Sequence, residues 1–235
     1  MYVVMARTSG RKLPLSRARI LKTALEIADL EGIEGLTMRR LGERLRVEAM
    51  SLYNHVRNKE DLVDGMVDLV FGEIELPAGG EAWKEAMRRR AKSAQVVLGR
   101  HRWAIPLMES RTQPGAANLH HHDSVLRCLR EAGLSVELAA HAYSALDSYI
   151  YGFALEQASL PFETGEQAAV LAETMLQAFP VNDYPYLAEI AAHVVSQPGY
   201  SYSNEFDYGL GLILDGLEAA AQTEKGRAQG PAFSG

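Results

Sequence analysis

Apolar residues recur at intervals of three and four along most of this chain, and no useful stretch alternates with period two. That pattern predicts an all-α protein. Ile20, Leu21, Ala24, Ile27 and Ala28 draw one buried stripe on a helix over 17–31, which Ser16 can cap and Gly32 can end. A short helix then follows Thr37, whose hydroxyl can accept a first-turn N–H. Leu41 and Leu45 form its inner edge, and Arg39, Arg40, Arg44 and Arg46 occupy its other faces. The chain turns around Arg46-Val47-Glu48 into a second short helix with Leu52 and Val56 as its apolar pair. Asn58 can cap a fourth helix over 59–75, with Leu62, Met66, Leu69 and Val70 inward, ending at Pro77-Ala78-Gly79-Gly80. Beyond it the spacing predicts helices over 81–99, 101–109, 115–132, 135–159, 163–178, 184–196 and 201–223. The breakers Gly99, Pro114-Gly115, Gly133, Pro161, Pro180 and Pro198-Gly199 separate them.

Two of these helices are apolar over more of their circumference than one core contact requires. The helix 135–159 carries Leu138, Ala142, Tyr149 and Phe153, and the helix 201–223 carries Leu210, Leu214 and Leu217, with Gly209, Gly211 and Gly216 between them. A helix buried on both sides either lies at the centre of a monomer or faces a second subunit, here as a four-helix bundle about a two-fold axis.

The stretch LTMRRLGERLRVEAMSLYNHVRNK, residues 36–59, fits a helix-turn-helix, in which the first helix crosses phosphates and the second enters the major groove. Ala49, Met50 and Ser51 allow close approach to base edges, Asn54 lies on the same outer face, and Tyr53, His55 and Lys59 reach phosphate oxygens. An ordinary helical hairpin with solvated charges would share the periodicity.

Charge sharpens that choice. The net charge of −6 looks wrong for a nucleic-acid binder, but residues 1–60 hold 12 Lys/Arg against 7 Asp/Glu, and the remainder holds 12 against 23. The head is therefore +5 and the body −11, and the local field rather than the total attracts DNA. Arg7, Arg11 and Lys12 among Ser, Gly and Pro suggest a flexible basic arm over 1–16, and the small polar stretch over 224–235 suggests a disordered tail. The single Cys128 cannot form an intrachain disulfide, MYVVMARTSGRK does not resemble a signal peptide, and no apolar run approaches a membrane span. A cytoplasmic protein without a membrane partner is expected.

The stretch 36–66 also resembles the DNA-binding region of TetR-family transcriptional repressors. The likeness rests on the Leu-Thr-x-Arg opening, Leu-Gly-x-x-Leu-x-Val, Ser-Leu-Tyr-x-His and Asn-Lys-x-x-Leu. A weaker likeness to the tetracycline-repressor branch continues through Trp83, Ala91-Lys92-Ser93, His101-Arg102, Arg111-Thr112-Gln113-Pro114 and the stretch 142–156. The resemblance implies a DNA-binding domain over 17–75, including the linking helix, and a helical ligand-binding and dimerisation domain over 76–223. It further implies a homodimer on palindromic operator DNA, a small-molecule effector and no cofactor. Arg39 matches the family's base-reading arginine, and Thr37 belongs to the same interface.

By helical spacing Met87, Arg90, Ala94, Trp103, Leu107, Met108, His121, Val125, Asp147 and Tyr151 are inward candidates for the effector site, although each alone also reads as core. Arg90 is either an anchor for an acidic ligand, a salt-bridged residue, or outward with Arg88 and Arg89. The tetracycline-type site uses two histidines, an asparagine, a phenylalanine and a threonine around magnesium, whereas the matching positions here are Glu75, Arg90, Ala94, Met108 and Arg111 or Thr112. That set does not carry over, so the resemblance implies a mostly hydrophobic or aromatic effector other than tetracycline. Adjacent side chains on a helix point about 100° apart, so His120-His121-His122 cannot all face one ion, and no metal centre is expected. The chain has no phosphate loop, nucleophile elbow or carboxylate pair that would point to an enzyme. The competing reading is an all-helical small-molecule-binding protein or enzyme whose helix-turn-helix is incidental.

Overall fold

Ser16 accepts a hydrogen bond from the Arg19 N–H at 3.3 Å and starts α1, Arg17–Gly35. In this computed structural model, which describes residues 14–178 and 182–228, Gly32 interrupts α1 with φ 75° and ψ 167°. The helix therefore stops where its hydrophobic stripe stops, and the five residues of that stripe are its buried residues. The Thr37 hydroxyl accepts from the Arg40 N–H at 3.1 Å and begins α2, Met38–Leu45, which Arg46 ends in the left-handed region at φ 58°. α3 is one turn, Ala49–Leu52. Leu36, Leu41, Leu52 and Leu62 are completely buried. Gly42 sits where α2 meets the turn, because a Cβ there would stand 2.9 Å from the Val47 carbonyl oxygen and 3.3 Å from the Ala49 nitrogen.

α4, Lys59–Glu73, is anchored at its start by Asn58, whose side-chain oxygen accepts from the Asp61 N–H at 2.8 Å. The Arg17 guanidinium donates to both Asp61 carboxylate oxygens at 2.9 and 3.0 Å and to the His55 carbonyl at 3.1 Å. One side chain of α1 thus fixes both the start of α4 and the end of the α3 turn. On α4, Leu62, Met66 and Val70 are buried as expected, but Leu69 is 40% exposed. Val63, Val67, Phe71 and Ile74 complete the inner stripe instead, since i, i+4 spacing from Val63 passes to one side of Leu69.

The chain separates into two compact units between Val67 and Asp68, within α4 rather than beyond its end. Asp68 already belongs to the second unit because its carboxylate accepts the Asn118 N–H at 2.8 Å. That bond caps α6, Ala116–Glu131, whose own N-cap Gly115 has no side chain to offer. The second unit also contains α5, Trp83–Arg100; a 3-10 helix, Arg102–Leu107; α7, Val136–Ser159; α8, Gly165–Ala178; α9, Pro185–Ile190, continued by a π-helical turn Ala191–Val195; and α10, Ser203–Ala228. The α-helix expected over 101–109 is a 3-10 helix because Pro106 lies within it and can give no backbone N–H. α7 is the hub, packing against α5, α6, α10 and the 3-10 helix. Among the described residues there is no strand, and no helix is long and apolar enough to cross a membrane.

Two groups of residues lie elsewhere than the sequence suggests. Residues 224–228, expected in a disordered tail, belong to α10, which runs to Ala228 with Lys225 and Arg227 favourably placed at its C-terminal end. Residues 229–235 and all of the basic arm before Pro14 lie outside the described residues. Of the residues expected at a dimer interface, Ala142, Leu210 and Leu214 are fully buried within the single chain, Leu138 and Phe153 nearly so, and Tyr149 and Leu217 are half-buried. The cause is an aromatic clasp between α7 and the start of α10. Tyr149 stacks on Phe206 at 5.4 Å and donates to the Glu205 and Phe206 carbonyls at 3.0 and 3.1 Å, while Phe153 stacks on Tyr202 at 5.0 Å. Gly209 lies directly under the Tyr149 ring, whereas Gly211 and Gly216 meet nothing within 4 Å. The apolar side chains left outward on these helices are Val136, Leu155, Tyr208 and Leu212.

Gly42→Ala is expected to destabilise the first unit by about 1–3 kcal/mol, because the added methyl meets backbone that cannot rotate away; urea denaturation would measure it. The Arg17 hydrogen bonds hold the Asp61 carboxyl down to about 2, below its ordinary 3.8. The pair's stabilisation is therefore complete above the ordinary value and is lost as pH falls through about 2. In Arg17→Met, an NMR titration should find Asp61 back near its ordinary value and the acid-dependent increment gone.

Candidate functional site

The first unit presents one outward face built from short elements. Thr37 is exposed, with its hydroxyl occupied by the cap, and Arg39 projects into solvent with only a loose 3.7 Å approach to Glu43. Arg40 instead folds back on Glu31 at 2.7 Å. Met50, at 75% exposure, Tyr53, Asn54 and Lys59 stand outward, and Ala49, Ser51 and His55 are half-buried beside them. An exposed methionine on a one-turn helix whose Leu52 is fully buried is unusual for packing alone. It is the arrangement a groove-facing helix needs, with small or flexible side chains in front and cations at the flanks.

The second unit holds a polar cluster in its interior. Arg90 of α5 is 1% exposed, and its Nη2 meets Asp147 Oδ1 of α7 at 2.5 Å. Its Nε donates to His121 Nε2 of α6 at 3.1 Å, and Nη2 approaches the same nitrogen at 2.9 Å. Three helices therefore meet at one guanidinium. Burial, followed by the Arg90 charge, drives the His121 pKa down to about 2, so this imidazole is neutral. Tyr151 lies one turn beyond Asp147 on α7, and burial, then the Asp147 charge, raises its phenol well above the ordinary value. Of the other inward candidates, Met87, Ala94, Trp103, Met108 and Val125 are buried and Leu107 is half-buried.

Sequence reasoning missed the rim of this cluster. Phe71 packs its ring against His121 at 5.3 Å and His122 at 5.2 Å, and the Tyr143 hydroxyl meets His122 Nδ1 at 2.6 Å. The signal was available, since Tyr143, Asp147 and Tyr151 fall at i, i+4 and i+8 on α7. Glu109, His122 and Asp147 each bring a ligand-type atom within 4.8 Å of one another, a set able to take a divalent cation. Asp147 already gives one oxygen to Arg90, and His122 one nitrogen to Tyr143. A separate cavity of about 310 Å³, lined in part by Gln95, Arg102, Gln157, Phe162 and Tyr202, includes none of the predicted effector residues.

Comparison with known proteins finds a separate family model for each of the two units. Residues 20–66 match the family model for bacterial regulatory proteins of the tetR family, and residues 76–221 match the tetracyclin repressor-like C-terminal domain. The HTH-type transcriptional repressor DrrR1 of Streptomyces coeruleorubidus is 30% identical over 228 residues, covering 93% of this chain and 83% of that protein. The class C tetracycline repressor protein of Escherichia coli is 30% identical over 207 residues, covering 87% and 91%. The crystal structure of the Streptomyces coelicolor TetR family protein ActR in complex with actinorhodin matches with a TM-score of 0.73 at 32% identity, covering 89% of this chain and 99% of that one. The chain belongs to the tetR family of bacterial regulatory proteins, with a tetracyclin repressor-like C-terminal domain.

Proposed function

We propose that this protein is a cytoplasmic, ligand-responsive transcriptional repressor that binds a palindromic operator as a homodimer and leaves it when a small, mostly hydrophobic or aromatic effector binds. The observation that carries this reading is the outward face of the first unit. Its buried side is wholly apolar, yet Arg39, Met50, Tyr53, Asn54 and Lys59 are held out on short, well-anchored elements. In this reading α3 enters the major groove, with Ala49, Met50, Ser51 and Asn54 near base edges, Arg39 contacting a guanine, and Thr37, Tyr53, His55 and Lys59 on phosphates. Two copies would present their recognition helices about 34–36 Å apart. Their contact would use the outward residues Leu155, Tyr208 and Leu212 rather than Leu210 and Leu214.

The effector would lie against Met87, Ala94, Trp103, Leu107, Met108 and Val125, with Arg90, His121, Asp147 and Tyr151 as the polar end. Tetracycline does not suit this set, because Arg90, Ala94 and Met108 stand at positions matching three of that site's side chains and Arg90 is engaged by Asp147. Helix α6 carries His121 and is capped by Asp68 of α4, so displacement of α6 would be felt along α4. A coupling of about 1–3 kcal/mol is typical of such sites, and it requires the effector to prefer the DNA-free state by that amount.

Selection of bound sequences from random duplexes with the purified protein should yield a palindrome, and no enrichment at any salt concentration would overturn the regulatory reading. On the selected site, Arg39→Ala should cost on the order of tenfold in affinity at a single base pair and relax preference there. A uniform loss across sequences would reassign Arg39 to phosphate. Lys59→Ala should weaken all sequences alike and lower the salt-dependence slope by about one unit per subunit, and an unchanged slope would rule out a phosphate contact.

A further inference from the structure

Three side chains from three elements converge beside the buried ion pair. Glu109 follows the 3-10 helix and is exposed, His122 lies half-buried on α6, and Asp147 lies buried on α7. One ligand-type atom from each lies within 4.8 Å of the other two. Points that close share a centre within about 2.8 Å of each, against roughly 2.0–2.2 Å for a zinc–nitrogen or zinc–oxygen bond. A small rotation of the exposed Glu109 side chain takes up much of that difference. An ion needs only this gap and not a ligand-sized cavity.

A second observation is independent of the spacing. Asp147 is 5% exposed, and its Oδ2 makes no hydrogen bond, although Oδ1 is held by Arg90 at 2.5 Å. A bare carboxylate oxygen in a protein interior is costly, and a cation is a partner that can satisfy it. Charge favours the same outcome, since Asp147 and Glu109 bring two negative charges against the one of Arg90. His122 meets the Tyr143 hydroxyl through Nδ1 at 2.6 Å. A hydroxyl accepts as readily as it donates, so Tyr143 imposes no tautomer and leaves the imidazole able to present a bare nitrogen.

We propose that Glu109, His122 and Asp147 form a binding site for a divalent transition-metal ion, with zinc the best match to one imidazole and two carboxylates. Water completes the coordination shell on the side that Glu109 leaves open. Magnesium and calcium fit less well, because both favour oxygen ligands throughout. The site takes one histidine of the His120-His121-His122 run together with side chains from two other elements. The angular argument against three adjacent histidines on one ion therefore does not reach it. None of the three residues stands at a position matched to the tetracycline-type magnesium site. The bound ion would tie the segment after the 3-10 helix to α6 and α7, and the proposal depends on neither the operator nor the effector reading.

The test titrates zinc, manganese and magnesium chlorides into chelator-treated, tag-free, full-length protein by isothermal titration calorimetry. Zinc should bind at one site per chain, about tenfold or more tighter than manganese, with magnesium weaker still. Zinc should also raise the melting temperature, because the unfolded chain does not hold the three ligands together. Glu109→Gln changes an exposed side chain and should keep the metal-free melting temperature while lowering zinc affinity roughly tenfold or more. His122→Gln should lower it by a similar factor. His120→Gln, at the exposed neighbouring position, should leave the affinity unchanged. Asp147 is kept intact in these variants, since its loss would strand the Arg90 charge. Absence of stoichiometric zinc binding would overturn the proposal. So would binding that survives both Glu109→Gln and His122→Gln. A loss in His120→Gln as large as in His122→Gln would also overturn it, by moving the ion to the outer surface of α6.

Discussion

The buried ion pair between Arg90 and Asp147 is the constraint on which the second unit depends. Taking both charges out of water costs several kcal/mol per ion before their attraction is counted, so the pair is a poor way to gain stability. Breaking it from one side is worse, because the orphaned charge costs about 3–5 kcal/mol, a large part of the 5–15 kcal/mol that holds a domain together. What the pair does supply is register. α5, α6 and α7 can slide or rotate against one another only by disturbing a guanidinium that touches all three, and apolar contacts alone would tolerate several neighbouring arrangements. His121 is the third member because it can accept from the guanidinium without adding charge. Burial and the adjacent Arg90 push its pKa down to about 2, so the imidazole stays neutral beside the guanidinium.

The first unit solves a smaller version of the same problem in the open. Arg17 is 42% exposed and Asp61 12%, so their attraction is screened, and the pair matters through geometry more than through energy. Four of its hydrogen bonds reach Asp61 or the His55 carbonyl, which sets where the α3 turn ends and α4 begins. Short helices cannot hold their own shape, since a helix nucleus is costly and α3 is a single turn. Gly42 against the Val47 carbonyl, the Thr37 cap and the Arg17 clamp supply from outside the rigidity that α3 lacks.

Much of this was legible in the sequence, for identifiable reasons. The stripe of α1, its stop at Gly32 and the Thr37 cap follow from local rules, and the structure reproduces them residue by residue. The fold class and family followed from periodicity and from motifs with fixed spacing. Legibility failed where the outcome depends on which side of a helix meets which neighbour. Leu210 and Leu214 were read as dimer-interface residues on an all-round apolar helix; both are buried within the single chain, and the pattern could not show the clasp of Tyr149, Phe153 and Phe206 between α7 and α10 beside them. The 3-10 turn at Pro106 was readable and overlooked. His121 shows the limit from the other direction: helical spacing made it an inward candidate, but nothing local could show that its partner is Arg90, 31 residues away.

The boundary inside α4 ties these strands together. A helix that ends one unit and starts the next must be held in both, and α4 is held by a carboxylate in each. Asp61 takes the Arg17 fork, and Asp68, seven residues on, takes the Asn118 N–H. The two bonds differ in kind. The first is a bidentate ion pair that fixes direction, whereas the second is a single charge-assisted bond to the first turn of α6, where the helix dipole favours an anion. The single bond therefore lies on the side that carries the polar cluster. That approach requires glycine at 115, because a Cβ there would overlap the Asp68 carboxylate. Phe71, three residues further along α4, packs on His121 and His122 of α6, so the junction is held by ring contacts as well as by the Asp68 bond.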